Sequence, residues 1–266
     1  MVYIVDRRTT LIGVIVILVA VNLVLVGLFI YPLSEDDPLS IDEAFASTED
    51  DVFLVNASLL VDGETQLAVE GMVDGDGAVY QSIEESGHLE EWYRAGEDED
   101  AYVRRVVDGE VSDDVLDQVE ADPDETVVSV EDVGDRVEII SMIESTEVSA
   151  PDARNPASVV LNQLTLAQYE TVEVVDDDRE IREPLGGWYA TDTSYRLTSL
   201  SGSVEVDPET NVVYDASIEW TLTYPTDSYL HYLWHQRDAA VQTFSYAYEA
   251  GGEVDVVEPE WVDEIE

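Results

Sequence analysis

The sequence predicts an α+β domain built on one large antiparallel β-sheet and preceded by a single N-terminal transmembrane helix. Three observations predict it. Leu11 to Tyr31 carries no charge, many later segments alternate apolar and polar residues with period two, and Asn155 to Tyr169 switches to the 3.6-residue period of a helix. Many strands joined by short turns, with one long amphipathic helix mid-chain, make an α+β pattern. Strict alternation means that one sheet face is wet and the other covered.

Residues 1–10 read as a short cytoplasmic N-terminus and 11–31 as the anchor. A helix of that length spans about 30 Å, the thickness of a bilayer's hydrocarbon core. A secretory signal has a shorter apolar region and a small-residue cleavage site. Here the run ends in Phe29-Ile30-Tyr31-Pro32, with no such site. Tyr31 suits the membrane interface, and Pro32 stops a helix. Arg7-Arg8 weakly resembles a twin-arginine signal, but Thr10 stands where that motif wants an apolar residue. Two positive charges that hold the N-terminus inside are the simpler account. The expectation is an uncleaved single-pass anchor, with residues 34–266 facing outward.

All but one of the 61 Asp and Glu lie after residue 31, against nine of the 11 basic residues; every basic residue is arginine. Disorder is a poor account of this composition, because the acids alternate with Val, Ile, Leu, Tyr and Trp. A folded domain with a carboxylate coat fits better. Such a coat repels itself in dilute buffer, whereas at molar salt the screening length falls to about 3 Å. The composition therefore reads as adaptation to a hypersaline medium and the source as a halophilic archaeon. Nucleic acid is excluded as a partner, since phosphate binding needs clustered Lys or Arg. The chain has no cysteine, which excludes disulfides, thiol chemistry and a lipid-modified N-terminal cysteine.

The elements follow in order. Residues 32–50 form an acidic spacer, in which Ile41 to Ala46 could make a short helix with Ser40 as N-cap and Glu43 completing the capping box. Residues 51–266 form the extracytoplasmic domain. Phe53, Val55, Ala57, Leu59 and Val61 share one strand face, and Gly63 marks a turn into Leu67, Val69 and Val73. "AVYQSIEE", "LEEWYRA" and "AYVRRVV" are further strands, and Ser112 to Val119 is a short helix. "TVVSVED" and "DRVEIISMI" pair across Gly134. "NPASVVLNQLTLAQY" has Asn155 as N-cap and Pro156 at the first helical position, with Ala157, Val160, Leu161, Leu164 and Ala167 on one stripe. "YETVEVV" returns to strand period. From Tyr214 to Tyr224, Tyr214, Ala216, Ile218, Trp220, Leu222 and Tyr224 alternate with polar residues, and "GSVEVD" pairs with this strand through the Pro208–Asn211 turn. "TFSYAYE" supplies a late strand.

The segments "WYRAGEDEDAYVRR" (92–105), "LNQLTLAQYETVEV" (161–174), "GSVEVDPETNVVYDASI" (202–218) and "DVVEPEWVDE" (255–264), taken in order, carry a resemblance. The chain resembles an uncharacterised family of haloarchaeal membrane-attached, lipoprotein-like proteins, with an ectodomain similar to the LolA/LppX-type half-barrel of extracytoplasmic lipoprotein carriers. The resemblance implies a curved half-barrel facing outward, and no catalytic residues, because that fold works by enclosing apolar groups. Such carriers usually bear a lipid on an N-terminal cysteine. This chain uses a membrane helix instead, which speaks against shuttling between membranes.

Catalytic signals are few. His231 and His235 have the i, i+4 spacing of a helical metal pair, but the Glu of H-E-x-x-H and an obvious third ligand are missing, so no metal is expected. "DGDG" at 74–77 reads as a turn rather than a calcium loop. No G-x-S-x-G, G-x-x-x-x-G-K-[ST] or G-x-G-x-x-G occurs, and Gly186-Gly187 reads as a turn. Arg104 and Arg105 point to opposite faces of a strand and cannot clamp one anion. Paired carboxylates drawn from so many acids carry no information.

Nine of the 14 tyrosines and four of the five tryptophans lie after residue 160. Core filling is the first account of them. The alternative is an incompletely covered concave face able to take an acyl or isoprenoid chain. Tyr214, Ile218, Trp220, Leu222, Phe244 and Tyr246 are the candidate ligand-binding residues, because only 156–168 offers a helix long enough to cover them. Asn56, in the sole N-x-[ST] sequon, is a candidate for N-glycosylation. The expectation is a noncatalytic envelope protein without a cofactor that binds a lipid or other hydrophobic ligand. The alternative is a module that contacts another envelope protein and holds no small molecule.

Overall fold

The computed structural model describes residues 36–39, 44–47, 50–145, 153–176, 178–190, 194–223, 229–251, 254–263 and 265. The anchor expected over 11–31 lies outside the described residues; among these, no helix is long and apolar enough to cross a membrane.

Strands β1 (Phe53–Val61), β2 (Glu64–Val73), β3 (Val79–Glu85), β4 (His88–Arg94) and β5 (Ala101–Asp108) form a meander. Helix α1 (Ser112–Ala121) leads into the hairpin β6 (Glu125–Val133) and β7 (Arg136–Ile143). Helix α2 (Arg154–Leu164) precedes β8 (Tyr169–Asp176), β9 (Arg179–Pro184), β10 (Gly187–Ala190), β11 (Ser194–Val206) and β12 (Val213–Thr223). The short α3 (Tyr229–His235), β13 (Ala240–Ala250) and α4 (Glu260–Asp263) follow. The strands make one antiparallel, unclosed sheet in the order β6-β7-β5-β4-β3-β2-β1-β13-β12-β11-β9-β8, with β10 pairing with the other half of β11. At its centre β1 lies between β2 and β13.

Local chemistry places the turns. Asp62-Gly63 and Ser86-Gly87 both have positive φ at each residue, the backbone of the two-residue hairpin turns that suit twisted strands. Gly202 in β11 has φ +94°, and a Cβ there would stand 1.8 Å from the Ser217 carbonyl oxygen, so only glycine lets β12 approach.

The core lies where α2 packs on β1, β2 and β13. Ala157, Val160, Leu161, Leu164 and Ala167 are all buried, as the helical stripe predicts. Gly71 admits the start of α2, since a Cβ on it would come within 2.2 Å of the Ala153 Cβ. Asn155 does not cap: the helix starts at Arg154, after Ala153, with no side-chain cap. At the other end the Tyr169 hydroxyl donates to the Leu164 carbonyl (2.8 Å), satisfying one of the last carbonyls of the helix.

The described parts of the expected acidic spacer, 36–39 and 44–47, contact the domain. The Asp36 N–H donates to the Trp188 carbonyl, the Gln168 side chain to the Asp37 carbonyl, and the Leu39 N–H to the Thr165 carbonyl. Phe45 is buried in the core, edge-on to Tyr169 at 5.1 Å. Ala46 bridges to Val212, so the described part of the expected 41–46 helix is not helical. Ser40 and Glu43, the expected capping pair, lie outside the described residues. The opposite face of the sheet has its own cover, since Trp261 and Val262 of α4 pack on Tyr93 and Ile140.

Both edges, β6 and β8, expose valines: Val128, Val130 and Val133 on one, Val172, Val174 and Val175 on the other. Register breaks at Val127/Ser129, Thr171/Glu173 and Val174/Asp176 bend these edges away from regular pairing.

Candidate functional site

Five of the six expected ligand-binding residues are core. Ile218, Trp220, Leu222, Phe244 and Tyr246 are buried together with the α2 stripe. Trp220 lies edge-on to Phe244 with ring centroids 4.8 Å apart, and its indole N–H donates to Gln242 Oε1 at 2.8 Å. Tyr214 departs from the expected face. The β11–β12 register shifts between Glu205 and Val206, which brings Val213 into the core and leaves Tyr214 half-buried under the Arg179 guanidinium at 4.3 Å. Strict alternation assigned Tyr214 to the apolar face; the register shift moves it off. Tyr224 lies outside the described residues.

An open cavity lies farther along the same sheet face. Cross-strand neighbours run in one row, Ala57–Val69–Ile83–Glu90–Arg105–Ile139, from the α2 core toward β7. Beyond the reach of α2, between this row and α1, is a cavity of about 670 Å³. Ile83 and Val107 of the sheet and Val111, Val115 and Val119 of the α1 region form its apolar walls. α1 presents Val115 and Val119 one turn apart, and Val119 is buried. The Ser112 hydroxyl donates to the Gly109 carbonyl (2.9 Å), while Asp113 and Asp114 sit in the first turn, where the helix dipole favours acids.

The polar floor is a closed ion-pair network. Arg105 donates to Glu90 (3.0 Å), to Glu125 and to the Ser141 hydroxyl (3.1 Å), and that hydroxyl in turn donates to Glu125. With Arg105 offset by Glu90 and Glu125, the remaining acids of the lining, Glu85 and Asp122, leave the rim acidic. On the opposite face Arg104 joins Glu138 (2.7 Å) and Glu91 (2.8 Å), and the Tyr80 hydroxyl donates to Glu91. Burial, reinforced by Glu91, pushes the Tyr80 pKa up, so this phenol stays a donor. The two arginines therefore do face apart, as the strand period predicts.

The remaining candidates are scattered. His231 and His235 lie on α3 with their Nε2 atoms 2.7 Å apart. No group of three or more metal-ligating side chains occurs among the described residues. Asn56 is exposed mid-strand on β1, in a shallow cavity of about 300 Å³ with Ser58, Glu70, Ser82 and Ser245. Sequence reasoning missed the α1 cavity, because its walls come from β3, β5 and a short helix that no pattern places side by side. The Val111, Val115 and Val119 spacing was its one visible signal.

No family model, curated protein or solved structure matches the chain.

Proposed function

We propose that this chain is a membrane-anchored, outward-facing envelope protein of a halophilic archaeon that binds a lipid or other hydrophobic ligand without catalysing a reaction. The observation that carries the reading is the cavity of about 670 Å³ with its valine walls. Its size falls within the roughly 300–1,000 Å³ typical of small-molecule sites. The floor holds its polar groups in mutual ion pairs, so an apolar chain could lie over it without stranding an unpaired charge. The acidic rim favours a neutral or cationic head over an anionic one. Part of the same reading is that the unclosed sheet curves as a half-barrel of the LolA/LppX type, with α1 and α2 on its concave side.

Native mass spectrometry of the protein purified from its host in high salt should show a bound hydrophobic mass. Val115→Trp, which fills the cavity from a half-buried helix position, should lower retention at least about tenfold, or 1.4 kcal/mol. Circular dichroism should stay unchanged. Absence of any bound mass, or equal retention by the variant, would reject the α1 cavity as the site. The exposed valines of the β6 and β8 edges would then favour the second reading, a module that contacts another envelope protein through apolar side chains.

A further inference from the structure

The surface beside the point where the chain joins the domain departs from the acidic coat. Ser228 to Arg237 contains no Asp or Glu, in a chain that has 61. Within it α3 exposes two large apolar side chains, Leu233 at 43% and Trp234 at 76%. A helix turn of this kind on a water-facing surface is unfavourable, whereas tryptophan at a membrane–water interface is favoured, with its ring in the headgroup layer.

The position of α3 is set by Tyr232, whose ring meets Trp188 of β10 at 4.9 Å, with the Arg196 guanidinium 5.3 Å from the Trp188 ring and 4.9 Å from that of Tyr232. Trp188 is also the residue whose carbonyl receives the Asp36 N–H at 2.9 Å. The chain segment that follows the apolar run is thus fastened to the strand on which α3 rests. From Tyr31, the last residue of that run, to Asp36 is five residues, at most about 18 Å even when fully stretched. A domain held that closely must turn one particular side to the bilayer. On a helix, position 234 lies about 200° around from 232 and position 233 about 100°, so with Tyr232 turned to the domain Trp234 faces outward and Leu233 flanks it. Arg237, one turn beyond Leu233, adds a cation.

We propose that α3 is a membrane foot: Leu233 and Trp234 enter the headgroup layer of the bilayer that holds the 11–31 anchor, Arg237 meets lipid phosphates, and the domain is held in a fixed orientation. The proposal rests on the anchor reading above. At molar salt the acidic remainder of the surface is screened, so its repulsion from an anionic membrane does not oppose the contact.

The test uses the full chain in vesicles of phosphatidylcholine brominated on the upper acyl chain, mixed with phosphatidylglycerol, in about 3 M KCl. No tryptophan precedes Trp92, and Trp92, Trp188, Trp220 and Trp261 are buried, so lipid quenching of indole emission reports chiefly on Trp234. Brominated vesicles should quench the native chain, and Trp234→Phe should lose most of that quenching while it still floats with the vesicles and keeps its circular dichroism. A floating chain quenched no more than its Trp234→Phe variant overturns the foot and leaves the anchor standing. A chain that does not float overturns both.

Discussion

Diluted from about 3 M to about 0.1 M KCl, the domain is expected to lose at least about 10 °C of melting temperature. The reason lies in the balance of charges. Among the described residues, Arg104, Arg105, Arg179 and Arg182 form ion pairs with Glu90, Glu91, Glu125, Glu138, Glu180 and Glu205. These pairs are few and mostly half-buried, so salt screens them much less than it screens the exposed acids, and they gain little from dilution. Most of the 61 acids have no cation to meet, and α1 alone carries Asp113, Asp114, Asp117 and Glu120. Repulsion among them is long-ranged in dilute buffer and nearly gone when the screening length falls to about 3 Å. Melting followed by circular dichroism across a KCl titration measures the effect. A melting temperature unchanged between the two salts would contradict the screening argument, and a fall on adding salt would mean that the ion pairs dominate.

Trp220→Ala is expected to lower the melting temperature by roughly 6–20 °C in high salt. Removing a fully buried tryptophan costs about 3–5 kcal/mol, and the orphaned Gln242 adds to that. In a domain of this size each kcal/mol shifts the midpoint by roughly 2–4 °C. The substitution is therefore a poor probe of ligand retention, although the sequence alone makes it the natural choice. Chemical unfolding in about 3 M KCl reads the loss directly. A variant within a few degrees of the native chain would show that the Trp220–Phe244 contact contributes little.

Trp220 also shows what the sequence could and could not convey. The strand alternation, the α2 stripe and the turns at Gly63 and Gly134 are local, and each is legible because period and turn chemistry are written within a few residues. That alternation assigned Ile218, Trp220 and Leu222 to one face, and they lie on it. What it could not say is what covers that face. Counting helices left a gap, which the chain fills from distant places: Phe45 from the supposed spacer, Ala167 after α2, and Tyr189 and Tyr195 from β10 and β11. Bulges are equally illegible, and one residue of slip was enough to move Tyr214 off the core face. The α1 cavity depends on β3 and β5 lying opposite a ten-residue helix, a juxtaposition that only the tertiary fold creates.

The seam between β1 and β13 also governs the order of assembly. It brings together Ser58 and Ser245, 187 positions apart in the chain, with their hydroxyls 2.7 Å from each other. Hairpins such as β1–β2 and β6–β7 close over a few residues and can form early. The central core cannot, since Val55 and Ala57 remain uncovered on one side until β13 arrives. Loop closure over such a span is entropically expensive, and topologies rich in distant contacts fold slowly. A nascent chain of this design cannot complete its central core until Ala250, the last residue of β13, is available to pair with Phe53.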